Sequence, residues 1–181
     1  KSSGNEYGWL TQPPQWFERS YPVAPPYTTA EDKLRYDGIA TDTLGNPLTF
    51  QMTVLAGRQY EVMILTGDAG WNHDRQQFQV YDPNGFVPAA IPNPPALPYT
   101  QVVDTWGGGA PEGGANIVWG GGVANPSGTG YYRWIRFTTD VISNAGGGLG
   151  TINMTMRDLG GADPATVILG LDLRPIESTG L

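Results

Sequence analysis

The chain has no cysteine, a single histidine (His73) and almost no lysine, Lys1 and Lys33 being its only two. Each shortage removes a class of chemistry. Without cysteine there is no disulfide, no thiol nucleophile and no cysteine-ligated zinc. One histidine cannot furnish a His-rich zinc site. So few basic residues leave a net charge of −7. That excludes the basic footprint on which nucleic-acid binding rests. No apolar run reaches the roughly 18 residues of a membrane-spanning helix. No stretch of ten or more residues carries a helical pattern, and there is no internal repeat. No signal peptide is visible, and the abrupt start at Lys1 is what a mature or excised fragment would show.

What the chain does have is glycine and proline, 26 and 16 of its 181 residues. They follow no collagen-like period. The segments between them alternate apolar and polar residues, so they are expected to be turns and long loops around strands. The length suits one sizeable core and is too short for two comfortable domains. A single domain over 1–181 is the expectation.

The firmest pattern runs from Phe50 to Gly85. Leu48, Phe50, Met52 and Val54 alternate with Thr49, Gln51 and Thr53, as in a strand with one buried face. Ala56-Gly57-Arg58 then makes a tight connection, and Tyr60, Val62 and Ile64 resume the alternation, which predicts a hairpin. Phe78 and Val80 continue it, and Asp82-Pro83-Asn84-Gly85 has turn chemistry. Further strands are expected at Lys33–Ile39, Tyr99–Val103, Tyr131–Val141, Leu149–Arg157 and Thr166–Leu173. Seven or eight strands separated by turn signals make an all-β sandwich of antiparallel sheets. The Pro-rich start, Lys1 to Thr29, allows only short or edge strands. Two long segments interrupt the pattern, one Pro-rich (Phe86 to Pro98) and one Gly-rich (Trp106 to Gly130). Loops of this length in a compact domain are often functional.

Several motifs occur in a recognisable order: Tyr7-Gly8-Trp9, Arg19, Leu34 to Asp37, the strand around Phe50, Gln59-Tyr60-Glu61-Val62 and Thr66-Gly67-Asp68-Ala69. The closing strands from Leu149 to Leu173 complete the series. It resembles the galactose-binding-like, malectin-like β-sandwich modules attached to bacterial pectin and rhamnogalacturonan enzymes and to large surface proteins. The resemblance covers most of the chain. It implies a jelly-roll fold and a carbohydrate-binding or accessory function in a secreted, extracellular or cell-surface bacterial protein. It identifies no sugar. The Pro-rich and Gly-rich segments are longer than expected for the group, so no binding residues carry over from them.

The loop after Asp68 holds Trp71, Asn72, His73, Asp74 and Arg75. A sugar offers apolar C–H faces and rings of hydroxyls. A flat aromatic beside amide, carboxylate and guanidinium groups suits both. The bland alternative is a loop whose polar groups cap their own backbone and whose tryptophan covers the sandwich edge. Trp106 and Trp119 sit among glycines, and either line a groove or lid the end of the core. Tyr7, Trp9, Trp16 and Phe17 are expected to pack, and Arg19 with Asp37 to pair. Asp68, Asp74, Asp104, Asp158 and Asp163 all fall in loops, where carboxylates can hold a structural calcium. Asp68 and Asp158 are the candidate ligands, although no EF-hand spacing exists. No cofactor is required. For catalysis the inventory is thin, since any triad would have to use His73 and no Gly-x-Ser-x-Gly motif is present.

The expected function is a non-catalytic carbohydrate-binding module. It would take a polysaccharide or oligosaccharide at one sandwich edge, without nucleic acid or membrane insertion, beside neighbouring modules of a larger parent. The alternatives are a structural or adhesive module that binds no sugar and, third, a glycan esterase or lyase.

Overall fold

The computed structural model describes residues 7–10, 15–18, 37–41, 47–68, 73, 75–84, 100–103, 105, 117–118, 132–160 and 165–177. Among these the structure is all-β. The strands are β1 (Tyr7–Trp9), β2 (Gln15–Glu18), β3 (Asp37–Thr41), β4 (Leu48–Leu55), β5 (Gln59–Gly67), β6 (Gln76–Tyr81), β7 (Thr100–Val103), β8 (Ile117–Val118), β9 (Tyr132–Thr138), β10 (Leu149–Asp158), β11 (Thr166–Ile168) and β12 (Gly170–Ile176). They form three antiparallel sheets, ordered β1-β4-β10-β6-β7, β12-β5-β9-β8 and β11-β3-β2. The first two face each other across one core.

That core is the apolar half of each alternation. Leu48, Met52 and Val54 of β4, Phe78 and Val80 of β6, and Ile152, Met154 and Met156 of β10 line one sheet. Tyr60, Val62 and Ile64 of β5 and Ile135 and Phe137 of β9 meet them from the other. Burying such side chains contributes about 1.5–3 kcal/mol each. A second, smaller cluster of Leu65, Tyr132, Val167 and Leu169 joins β5 and β9 to β11, with Ala40 of β3 and Trp134 packed against it. β11 thus packs at the end of the sandwich where β5 finishes, its Val167 bonding Thr66 and Gln76.

The expected β4–β5 hairpin is not formed. β4 pairs with β1 and β10, whereas β5 pairs with β12 and β9. Ala56-Gly57-Arg58 is a corner that carries the chain from one sheet to the other. Two strands with buried faces satisfy those faces equally well side by side or face to face, and here they face each other. Thr166–Leu173 also divides. β11 pairs with β3, Leu169 N donates to Leu65 O at 2.8 Å, and β12 then pairs with β5. Lys33–Tyr36, Arg19, and the side chains of Trp16, Phe17 and Asp37 lie outside the described residues. Trp9 meets Phe50 edge-on at 5.2 Å, while Tyr7, 6.1 Å from Phe50, is mostly exposed.

At one end of the sandwich the described turns pack on each other. Gly57 N donates to Ile142 O and Ala56 N to Gly148 O, both at 2.9 Å. Gly57 has φ +75°, a conformation suited to glycine. Asp82 Oδ2 accepts from Ser143 N at 2.6 Å. A Cβ added at Gly150 would lie 2.4 Å from Ile142 Cγ2 and 2.5 Å from Ser143 O.

The face of β4, β10, β6 and β7 that points away from the core is polar. Its side chains pair across strands: Thr49–Thr155 at 3.1 Å, Gln51–Asn153 at 3.2 Å, Gln79–Thr100 at 2.9 Å and Arg157–Gln77 at 2.7 Å. Such pairs stabilise sheet register by a few tenths of a kcal/mol or more each. Asn153 sits mid-strand, buried and bonded to Gln51.

Candidate functional site

The opposite end is where the candidate residues converge. β5 ends there at Gly67, β7 at Val103 and β10 at Asp158, while β6 starts at Gln76 and β9 at Tyr132. The register fixes this. Gln76 lies opposite both Asp158 and Val103, Thr66 opposite Arg133, and Gly67 opposite Tyr132. Val118 pairs with Trp134, so β8 also points its C-terminal residue toward this end.

The strands arrive with polar residues in core-facing positions. Thr66 continues the inward series Tyr60, Val62, Ile64. Gln76 begins the series Phe78, Val80, and Arg133 begins Ile135, Phe137. Together with Asp68, His73, Thr105, Asp158 and Thr166 they form a polar floor, and each is at most 4% exposed. Buried polar groups are costly unless hydrogen-bonded.

Gln76 is the hub of that floor. Its Oε1 accepts from Thr66 Oγ1 at 3.1 Å and from Val167 N at 2.8 Å. Its Nε2 donates to Thr105 Oγ1 at 3.3 Å. Thr66 Oγ1 also lies 2.7 Å from Val167 O. Thr105 in turn holds the loop after β5, because its N–H donates to His73 O at 2.8 Å. The His73 imidazole faces Asp68, with Nε2 3.6 Å from Oδ2, both groups inside the fold. On the far side, Asp158 Oδ1 accepts from Gly160 N at 2.5 Å, and Leu159 N donates to Arg75 O at 3.2 Å. Thr166 Oγ1 is buried with no hydrogen-bond partner among the described residues.

Arg75 stands apart. It is exposed and has φ +50°, the one non-glycine among the described residues with positive φ. A side chain in the left-handed region costs about 1–2 kcal/mol. Such strain concentrates at functional loops and is held by surrounding bonds. The Leu159–Arg75 bond is one of them.

The residues singled out by sequence divide into two groups. Asp68, His73, Arg75 and Asp158 all lie at this end. Trp71, Asn72, Asp74, Trp106 and Trp119 lie outside the described residues, as do Asp104 and Asp163. Among the described residues no group of three or more acidic, histidine or cysteine side chains is placed to hold a metal. Asp68 faces His73, and Asp158 accepts a backbone N–H. The sequence reading missed Gln76, Thr105, Arg133 and Thr166. For Thr66, Gln76 and Arg133 a signal existed, since each is a polar residue on the inward parity at the end of an apolar alternation. For Thr105 and Thr166 there was none.

No family model matches the chain, and no curated protein matches it. Among solved structures it is similar to the ANXUR1 extracellular domain from Arabidopsis thaliana, at 12% identity and TM-score 0.49. That likeness covers 93% of this chain and 40% of the other, so the chain spans well under half of that neighbour. It is also similar to TmCBM61, solved in complex with beta-1,4-galactotriose, at 11% identity and TM-score 0.37 over 96% of this chain and 90% of that one. A third is the enzymatically active domain of bacteriophage CBA120 tailspike protein 4, at 12% identity and TM-score 0.35 over 96% and 20%. TM-scores of this size establish neither a shared family nor a shared function. The functional reading stands on the geometry of the chain itself.

Proposed function

We propose that the chain is a non-catalytic carbohydrate-binding module of a secreted bacterial protein, taking a polysaccharide or oligosaccharide at the loop end of the sandwich. The observation that carries this is the contrast between its two ends. At one, the described connections are turns packed on each other, and the chain also leaves β6 there for residues 85–99, which lie outside the described residues. At the other, the described residues flanking two of the candidate tryptophans belong to the buried, hydrogen-bonded polar floor, and β8 ends toward it. Asp68 and His73 bracket Trp71, Thr105 precedes Trp106, and Val118 precedes Trp119.

In this reading Trp71, Trp106 and Trp119 offer apolar faces to sugar rings, and Asn72, Asp74 and Arg75 bind hydroxyls. Asp68 and Thr105, from which the Trp71 and Trp106 segments continue in sequence, are part of the buried floor. A rigid floor under such residues limits the ordering cost of binding. Per-site affinity is modest, and a multimodular parent supplies avidity.

The test is a glycan array followed by calorimetry across plant and algal polysaccharides, with Trp71→Ala and Arg75→Ala as controls. Binding is expected for a subset of glycans and is weakened by both substitutions. A folded chain that binds none of them overturns the proposal.

A further inference from the structure

β12 is the outermost strand of the sheet ordered β12-β5-β9-β8, and among the described residues no strand lies beyond it. Its register shows which backbone groups face outward. Thr139 N donates to Tyr60 O and Tyr60 N to Thr139 Oγ1, each at 2.9 Å. Tyr60, Val62 and Ile64 therefore turn their N–H and C=O groups toward β9, and Glu61, Met63 and Leu65 turn theirs toward β12. Leu65 O, which accepts from Leu169 N, agrees with this. Asp172 and Arg174, opposite Met63 and Glu61, bond inward to β5. Leu171 and Leu173 then point their N–H and C=O groups at the free edge, as does the carbonyl of Pro175. Pro175 belongs to the outward set, so its missing N–H removes no bond to β5.

The side chains follow the same alternation. Leu171 and Leu173, opposite Ile64 and Val62, are half-buried at the rim of the core. Asp172 and Arg174 form an ion pair on the outer face, with 37% and 66% of their side chains exposed. Charge and proline on an edge strand usually repel a second strand. This edge differs because its two signs flank a leucine. Rotated by half a turn about Leu173, the series Leu171-Asp172-Leu173-Arg174-Pro175 sets each Asp172 opposite an Arg174. Opposite charges across a ladder attract, and these fall at a non-hydrogen-bonded position, where side chains approach most closely. The surrounding patch is balanced, since Glu61 lies across from Arg174 and pairs with Arg136 at 3.3 Å.

We infer that β12 is a self-association edge, through which two copies of the chain pair antiparallel about Leu173 into one continuous sheet. In that register Leu173 N–H of each copy meets the Leu173 carbonyl of the other, and Leu171 N–H meets the Pro175 carbonyl. Pro175 ends the ladder. Leu171 and Leu173 continue the core across the junction. Such a contact uses the same patch on both copies and closes at two. Gly170 lies opposite Leu65, toward the loop end, and Ile176 opposite Gln59, toward the turn end. Antiparallel pairing therefore sends the two loop ends to opposite poles of the dimer. With the carbohydrate reading above, that dimer joins two glycan chains rather than gripping one twice. The inference itself does not depend on what the loop end binds.

Sedimentation of the whole chain from micromolar to millimolar concentration reads the association, and a reversible monomer–dimer equilibrium is expected. Asp172→Arg sets like charges opposite each other, as does Arg174→Asp. Each is expected to weaken dimerisation about tenfold or more. An equimolar mixture of the two variants regains near-native affinity, because a chain with arginine at both positions then faces a chain with aspartate at both. The double variant, with the signs exchanged, stays within about threefold of native by the same pairing. Both side chains are exposed, so thermal melts of the variants stay close to native. On the native chain, amide exchange at Leu171 and Leu173 slows as concentration rises. Asp172 and Arg174, already bonded to β5, do not change.

A native chain that stays monomeric throughout overturns the inference. So does a dimer indifferent to both single substitutions, a mixture that fails to recover, or dimerisation without slowed exchange at Leu171 and Leu173. Should a variant fail to fold, the exchange measurement on the native chain still decides. A chain that binds no glycan fails the carbohydrate reading and leaves this inference standing.

Discussion

Gln76→Leu tests whether the polar floor stabilises the fold. Leucine nearly matches glutamine in volume, so the substitution removes hydrogen bonds without opening a large cavity. Gln76 is fully buried and makes three side-chain bonds, with Thr66 Oγ1, Val167 N and Thr105 Oγ1. Thr66 keeps Val167 O as an acceptor close by, and the Thr105 hydroxyl loses a donor but keeps its own bond to His73 O. Their losses are therefore about 0.5–1 kcal/mol each. Val167 N loses the acceptor that Gln76 supplies, and an unsatisfied buried N–H costs about 1–3 kcal/mol. The added apolar burial of leucine offsets part of this. The net expectation is a destabilisation of about 3 kcal/mol, a large share of a typical domain's stability. For a chain of this length that lowers the melting temperature by roughly 6–12 °C. Urea unfolding with matched m-values and a thermal melt are the assays. A variant within about 0.5 kcal/mol of native, the range of an ordinary surface change, would refute the reasoning.

Other substitutions probe the rest of the account. Gly150→Ala forces a Cβ against the Ser143 carbonyl and Ile142, and is expected to cost about 1–3 kcal/mol by overpacking, read by thermal denaturation. Arg75→Gly relieves the positive φ while removing the guanidinium, so stability holds or rises by up to about 1 kcal/mol while glycan affinity falls. A fall in both would place Arg75 in the scaffold instead. Glu61→Gln breaks a solvent-exposed pair with Arg136, 3.3 Å apart, and is expected to change stability by under about 1 kcal/mol and less in high salt.

Much of the fold was legible because alternation is a local property. Leu48 to Val54, Tyr60 to Ile64 and Leu149 to Arg157 are strands with the predicted buried faces. Pairing is not local, and the β4–β5 corner shows why. The same apolar series serves a hairpin or two opposed sheets, and only the packing of the whole core decides. Thr166 to Leu173 read as one strand because its parity continues through Leu169, yet β11 and β12 have different partners. The site was legible in part. Asp68, His73, Arg75 and Asp158 drew notice as polar residues in loops, and they do share one end, although Asp158 is the last residue of β10, paired with Gln76. Gln76 and Arg133 escaped because they lie within strands, where a polar residue reads as solvent-facing unless its parity is followed to the strand end. Thr105 has no signature at all, since its part depends on meeting His73 across 32 positions of sequence.

The central claim is that sugar binds at the loop end. Backbone amide NMR during titration with an oligosaccharide that the array identifies tests this most directly. The account predicts shifts concentrated at Asp68, His73, Arg75, Gln76, Thr105, Tyr132, Arg133 and Asp158 to Gly160, with Ala56 to Arg58 and Ser143 to Leu149 unmoved. Shifts centred on that turn end, or on the outer face of β4 and β10, would contradict it.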